Sequence, residues 1–305
     1  MTHSRNYKTL RRFIVPALAG GALAALAFAP TFGAEPVQSN VPPQNISAPK
    51  ADAPNANMPK NDVPRPDDVK TGEINEPTPH KEANPSTFTG TSVISESKTF
   101  EHQRFDNTTS NQNSFIGKNK ATITIDSSVF DKTGNTTNDD NSNFRGQNAV
   151  VLGIEGSQTS IKDSNITSNS IGSNAVFATG EGSVINVENT NIHTKGDSSR
   201  GLDATYKGTV NGKNLTITTE GAHSATLATD RGEGTITAEA AKLTTSGTGS
   251  PVIYSTGNIT ANSINGVANK SEIGVVEGKN SITLTNSNVT GYNDNGFMLY
   301  QSFSG

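Results

Sequence analysis

A parallel β-helix, an all-β solenoid of about seven to eight coils, is the fold class the sequence predicts. Three observations carry that reading. A short apolar run recurs from about Phe115 to the end of the chain, two further short segments rich in Thr, Ser and Asn follow each run, and helical apolar patterning is nearly absent outside the extreme N-terminus. The runs are NAVVLG from Asn148, NAVFATG from Asn174, GLDATY from Gly201, SATLATD from Ser224, PVIYSTG from Pro251, EIGVVEG from Glu272 and GFMLYQ from Gly296. Aligned on Ala149, Ala175, Leu202, Ala225, Val252, Ile273 and Phe297, they repeat at 26, 27, 23, 27, 21 and 24 residues. Periods of this size mark solenoids. This one is too short for paired helices but holds three strand-sized segments.

The elements follow in chain order. Residues 1–34 have the layout of a secretory signal peptide: Arg5, Lys8, Arg11 and Arg12, then the apolar stretch Phe13–Phe28, then small residues with a cleavage point expected at Gly33 or Ala34. The stretch is short for a membrane span, so no span is expected in the mature chain. Residues 35–85 hold eleven of the fourteen prolines and no aromatic residue. Such a segment buries too little apolar surface to offset the cost of ordering, and is read as a semi-rigid disordered linker. Residues 86–114, with Phe88, Phe100 and Phe105, are expected to cap the solenoid and begin its first coil, because a bare end would expose strand edges.

From 115 to 305 the coils repeat. In the second segment of each coil Ile123, Ile161, Val184, Val210, Ile236, Ile259 and Ile282 are the expected interior positions, and in the third Val129, Ile166, Ile192, Ile217, Leu243, Ile264 and Val289. Alternation of apolar with polar residues describes strands with one buried face, and β-branched residues favour them. Gly, Asn, Asp and Ser between strands tolerate tight corners with positive φ. The last run, ending at Gln301-SFSG, offers no capping element, so the natural product is expected to be longer.

Composition sets limits on function. With 31% hydrophobic and 6% aromatic residues, 305 residues suit a narrow solenoid interior better than a large globular core. A net charge of −4 argues against nucleic acid as a partner. Zero cysteines exclude disulfides, thiolate metal sites, a cysteine nucleophile and a lipoprotein anchor. No cofactor is expected.

The coils from Phe115 to Gly305 resemble those of right-handed parallel β-helix proteins on bacterial surfaces, in particular the passenger domains of pertactin-like autotransporter adhesins. The stretch Val275–Gly305 is also similar to a recurring segment of large secreted bacterial β-helix repeat proteins. The resemblance implies a right-handed coil, export to the cell surface or beyond, outer-membrane association through a translocator barrel, and cell adhesion. Nothing after Gly305 supplies such a barrel, which again points to a longer product.

Candidate chemistry lies on the outer faces. Alternation in the opening strand puts Ala149, Val151, Ala175, Phe177, Leu202, Ala204, Ala225, Leu227, Val252 and Tyr254 inward. It leaves Val150, Val176, Asp203, Thr226, Ile253, Gly274 and Met298 outward, an apolar stripe of the kind that marks contact surfaces. Val150, Val176, Asp203, Ile253 and Met298 are therefore binding candidates for a host surface or polysaccharide. Asp139 and Asp140, in the long excursion from Thr133 to Gln147, are further candidates, although their spacing is that of no known Ca²⁺ loop and no metal is assigned.

The alternative reading is a polysaccharide lyase or glycoside hydrolase. It lacks a catalytic constellation: Asp203 has no acid in the equivalent position one coil away, Asp230 and Asp197 read as turn residues, and His193 and His223 read as single solvated side chains. An ice-binding solenoid, the third class, would need one Thr pair repeated on consecutive coils. Lys162, Ile185 and Asn211 interrupt that array. Finally, the unpaired edge of the Gly296–Gln301 strand is expected to promote self-association through the C-terminal coil.

Overall fold

A computed structural model describes residues 83–293 and 295–301. The signal peptide and all but the last three residues of the linker lie outside the described residues. The described chain forms an all-parallel, three-sheet β-solenoid of about eight turns. Sheet 1 holds β1 (Gly90–Ile94), β4 (Asn113–Gly117), β7 (Val151–Gly153), β10 (Val176–Thr179), β13 (Leu202–Thr205), β16 (Leu227–Thr229), β19 (Ile253–Ser255), β22 (Gly274–Glu277) and β25 (Phe297–Tyr300). Sheet 2 holds β2 (Lys98–Glu101), β5 (Thr122–Asp126), β8 (Gln158–Lys162), β11 (Val184–Glu188), β14 (Thr209–Lys213), β17 (Thr235–Glu239), β20 (Asn258–Asn262) and β23 (Ser281–Thr285). Sheet 3 holds β3 (Arg104–Asn107), β6 (Val129–Lys132), β9 (Asn165–Ser168), β12 (Asn191–Thr194), β15 (Thr216–Thr219), β18 (Lys242–Thr245), β21 (Asn265–Ala268) and β24 (Asn288–Gly291).

Each strand pairs with its counterparts one coil before and after, so successive coils satisfy one another's backbone groups. Inside, sheet 1 stacks Phe115, Val151, Val176, Leu202, Leu227 and Ile253 in one column. Sheet 2 stacks Ile185, Val210, Ile236 and Ile259, and sheet 3 stacks Phe130, Ile166, Ile192, Ile217 and Leu243. Each fully buried Val, Leu or Ile contributes about 1.5–3 kcal/mol, so the repeated column is the main source of stability. At the N-terminal end Phe100, Phe105, Phe115 and Phe130 fill the interior, with Phe105 stacked on Phe130 at 4.8 Å and edge-on to Phe115 at 5.3 Å.

The corners explain much of the polar composition. Between sheets 2 and 3 the chain turns through one left-handed residue per coil: His102, Ser127, Asp163, Asn189, Asn214, Ala240, Ser263 and Asn286, with φ between 48° and 57°. Asn and Asp adopt that conformation most readily among residues with a Cβ. Here they also form a ladder, in which Asn214 Nδ2 donates to Asn189 Oδ1 at 3.1 Å and Asn189 Nδ2 to Asp163 Oδ1 at 2.9 Å. Between sheets 3 and 1 the ladder is buried. The Ser199 and Ser224 amides donate to Ser224 Oγ and Ser250 Oγ, each at 2.9 Å, and Thr245 Oγ1 donates to Ser250 O at 2.6 Å.

Several sequence expectations need correction. Val184 is half-exposed, and the interior positions of β11 are Ile185 and Val187. Phe130 takes the place expected of Val129. In sheet 1 the side chain of Val176 points into the core column and that of Phe177 does not; likewise Ile253 is interior and Tyr254 is outside. Val150 belongs to the same interior cluster, and Gly274 pairs within the interior column between Ile253 and Phe297. Thr226 is buried, with its hydroxyl donating to Val252 O at 2.6 Å. The physical reason is that sheet 1 is covered on both faces over most of its length. A strand buried on both sides reads as a continuous apolar run, so its parity is not written in polarity, and a one-residue slip exchanges the two faces.

Candidate functional site

Part of the cover of sheet 1 is a helix, and Phe88 packs with Ile116 and Leu152 nearer its N-terminal end. The excursion between β6 and β7 contains α1 (Asp139–Arg145), where the sequence shows only a polar loop. Asn138 caps it by accepting the Asn141 amide at 2.9 Å, and Asp139 and Asp140 occupy its first turn, where a negative charge favours the helix dipole. That is a local structural role for both acids. Among the described residues no group of three or more His, Cys, Asp or Glu side chains is arranged to hold a metal ion. Gly146 ends the helix at φ 77°, and a Cβ there would lie 2.6 Å from Leu152 Cδ1 and 2.7 Å from Phe177 Cδ1. Only glycine allows both the left-handed turn and the close approach.

The outer row of sheet 1 runs Ile116, Leu152, Phe177, Asp203, Ala228, Tyr254, Val275, Met298. Its first three members are apolar and pack with Phe88, Ala149 and Ile154 in a second hydrophobic cluster beside the interior one. From Asp203 onward the row changes character. Arg200, Asp203 and Asp230 form a buried ionic group in which Arg200 Nε lies 2.7 Å from Asp230 Oδ2 and 3.8 Å from Asp203 Oδ2. The side chains of the three are 10%, 0% and 5% exposed. The next coils add Tyr254 and Tyr300, whose hydroxyls donate to Glu277 Oε2 at 2.5 and 2.9 Å.

Burial is the main force on these groups. It pushes the Asp203 carboxyl well above the usual carboxylate range, with the neighbouring Asp230 charge adding to the effect and Arg200 opposing it. Burial raises Asp230 as well, again against Arg200. At Asp230 the charge of Arg231 also opposes the rise and that of Glu277 adds to it. The Ala204 backbone N–H, like Arg200, favours the charged form of Asp203, but burial outweighs both. Burial and the hydrogen bond to Glu277 raise the Tyr254 hydroxyl, keeping it a donor.

A cleft of about 380 Å³ opens over this group, lined among others by Asn143, Arg200, His223, Asp230 and Tyr254. Helix α1 forms one wall and is tied to the site directly: Arg200 Nη1 donates to Asn143 Oδ1 at 2.7 Å, and Thr205 Oγ1 donates to Phe144 O at 3.0 Å. The guanidinium of Arg231 lies 3.8 Å from the Phe144 ring and that of Arg145 3.7 Å from the Tyr206 ring. The floor can accept hydrogen bonds through Asp230, and the rim offers a phenol ring and an imidazole.

Of the sequence candidates, Asp203 faces outward as expected but is sealed beneath the cleft, and Met298 stands on the outer row in contact with solvent. Val150, Val176 and Ile253 are removed from the surface altogether. Arg200, Asp230, Tyr254 and Glu277 went unrecognised. Asp203 and Asp230 meet because they occupy neighbouring positions, two residues apart along the strand on adjacent coils, so a search for equivalent positions misses them. His193 lies apart, paired on the surface of sheet 3 with Glu220 at 2.6 Å. Comparisons with protein-family models, curated proteins and solved structures gave no match.

Proposed function

We propose that this chain is an exported bacterial surface protein that works by binding, and that its ligand is polyhydroxylated: the saccharide chains of a host surface or another polysaccharide. The observation that carries the reading is the cleft on sheet 1, where a charged floor of Arg200 and Asp230 meets the Tyr254 ring and His223 on a rigid stack of strands. Sites of this kind, with a few convergent polar groups beside an aromatic ring, orient small polar ligands. The likeness of the coils to adhesin passengers supports display outside the cell, as does the signal-peptide layout of residues 1–34.

The carboxyl pair supports binding over glycoside hydrolysis. Asp203 is fully buried beneath the cleft, whereas the two catalytic carboxyls of most glycosidases must flank the scissile bond of a bound saccharide. The test is a glycan-array and host-surface binding assay with Tyr254→Ala and His223→Ala beside the unaltered chain. Binding lost in both variants, with the strand spectrum retained, supports the assignment. Steady release of reducing or unsaturated sugars, abolished by Asp230→Asn, would replace binding by catalysis. Export is checked separately, by finding a processed chain that begins near Ala34 or Glu35 outside the cell.

A further inference from the structure

The outer face of sheet 2 is open, and its charges follow a pattern that the sheet 1 cleft does not involve. At the last position of each strand the row reads Glu101, Asp126, Lys162, Glu188, Lys213, Glu239, Asn262, Thr285. From Asp126 to Glu239 acid and base alternate on successive coils. Strands one coil apart are about 4.8 Å from each other, near enough for such neighbours to close as cross-strand pairs. Among the described residues no ion pair joins any two of the five.

The row also has a midpoint. The sheet has eight strands, and its centre falls between β11 and β14. Reversed about that centre, Lys162 meets Glu239, Glu188 meets Lys213, Asp126 meets Asn262 and Glu101 meets Thr285, so no like charges oppose. The row two residues earlier behaves the same way, setting Asn186 against Asn211 and Ser160 against Thr237. Shifting the centre one strand toward the N-terminus opposes Glu101 to Glu239. Shifting it one strand the other way leaves a single kind of opposite-charge pair.

We infer that the outer face of sheet 2 is a two-fold interface between two copies of this chain, stacked face to face with their coils running in opposite directions. A two-fold axis along the strand direction produces that arrangement, and an isologous contact requires such self-complementarity. Eight strands of about five residues present about 600 Å² per copy, which places the pair at the lower end of specific interfaces. The interface is polar, so its strength depends on salt.

Sedimentation velocity of the full chain tests this. At about 50 mM NaCl the unaltered protein should sediment as a dimer, and its dimer Kd should weaken about tenfold or more at about 500 mM. Lys162→Glu with Lys213→Glu should give a monomer with an unchanged circular dichroism spectrum, as should Glu188→Lys with Glu239→Lys. Mixing the two doubly substituted proteins should restore a heterodimer. A protein monomeric at about 100 µM in low salt overturns the inference. So does a dimer indifferent to both sets of substitutions, which would place the contact elsewhere, such as the edge of β25. A monomer that binds a linear polysaccharide through this face, with binding lost in the same variants, also overturns it.

Discussion

Asp203 shows how a side chain that alternation places on an outer face can still be sealed from water in the structure. Its folded pKa is raised, so the native state binds a proton more tightly than the unfolded chain does. The sign follows from linkage: the stability it confers is fully present below the ordinary carboxylate pKa and is lost as pH rises through the folded value. The melting temperature should therefore fall as pH climbs above that ordinary range. In Asp203→Asn, whose amide reproduces the donor of the protonated acid, this fall should flatten, as differential scanning calorimetry across pH would read. A residue of a different kind is Ala240, which holds φ 52° where neighbouring coils use Asn, Asp or Ser. Left-handed backbone costs an ordinary residue about 1–2 kcal/mol, so Ala240→Asn should raise stability by about 0.5–1 kcal/mol in urea titrations. Loss of stability there would show that the corner tolerates no larger side chain.

At the scale of elements, the sheet strands and helix α1 divide the work. In β11 the parity is set by Ile185 and Val187, so Ile185→Asp should unfold several coils whereas Val184→Asp should be nearly neutral. Denaturation midpoints of the two variants should separate widely; equal effects would contradict the register. Helix α1 stands on its cap, its terminal glycine and its two arginine–ring stacks. Asn138→Ala should cost about 1 kcal/mol. Gly146→Val should cost more, because it adds bulk against Leu152 and Phe177 at a left-handed position. If the helix shapes the cleft, ligand affinity should fall in Gly146→Val while the sheet 2 face keeps its behaviour. The buried serine ladder is another such element. Ser224→Ala leaves the Ser199 amide without its acceptor, with an expected loss of about 1–3 kcal/mol.

For the molecule as a whole, stability is close to a sum over coils and their nearest-neighbour contacts. Strand-dominated circular dichroism is expected of residues 83–301, and a helical spectrum would contradict the fold. Ile236→Asp should lower stability by several kcal/mol, since a fully buried, unpaired carboxylate has no partner in the column around it. The two outer faces serve different ends: sheet 1 carries a covered, buried-charge site and sheet 2 an open, alternating one. Much of this plan was legible beforehand. The period of the apolar runs, the three strands per coil, and interior positions such as Ile166, Ile192, Ile217 and Ile236 can be read directly, because a half-buried strand alternates in polarity.

What the chain could not announce has a common physical cause. Local spacing determines coil length, strand count and the interior of sheets 2 and 3, since each is a property of residues close in sequence. Whether Val176 or Phe177 faces the core depends on α1 covering the far side of sheet 1 and erasing its alternation. The union of Arg200, Asp203 and Asp230 depends on two coils lying in register, and the rise in both carboxyl pKa values depends first on their removal from water. The sequence by itself determined the stack; burial from both sides, a consequence of tertiary packing alone, decided which side chains became core, which became site, and what charge they carry.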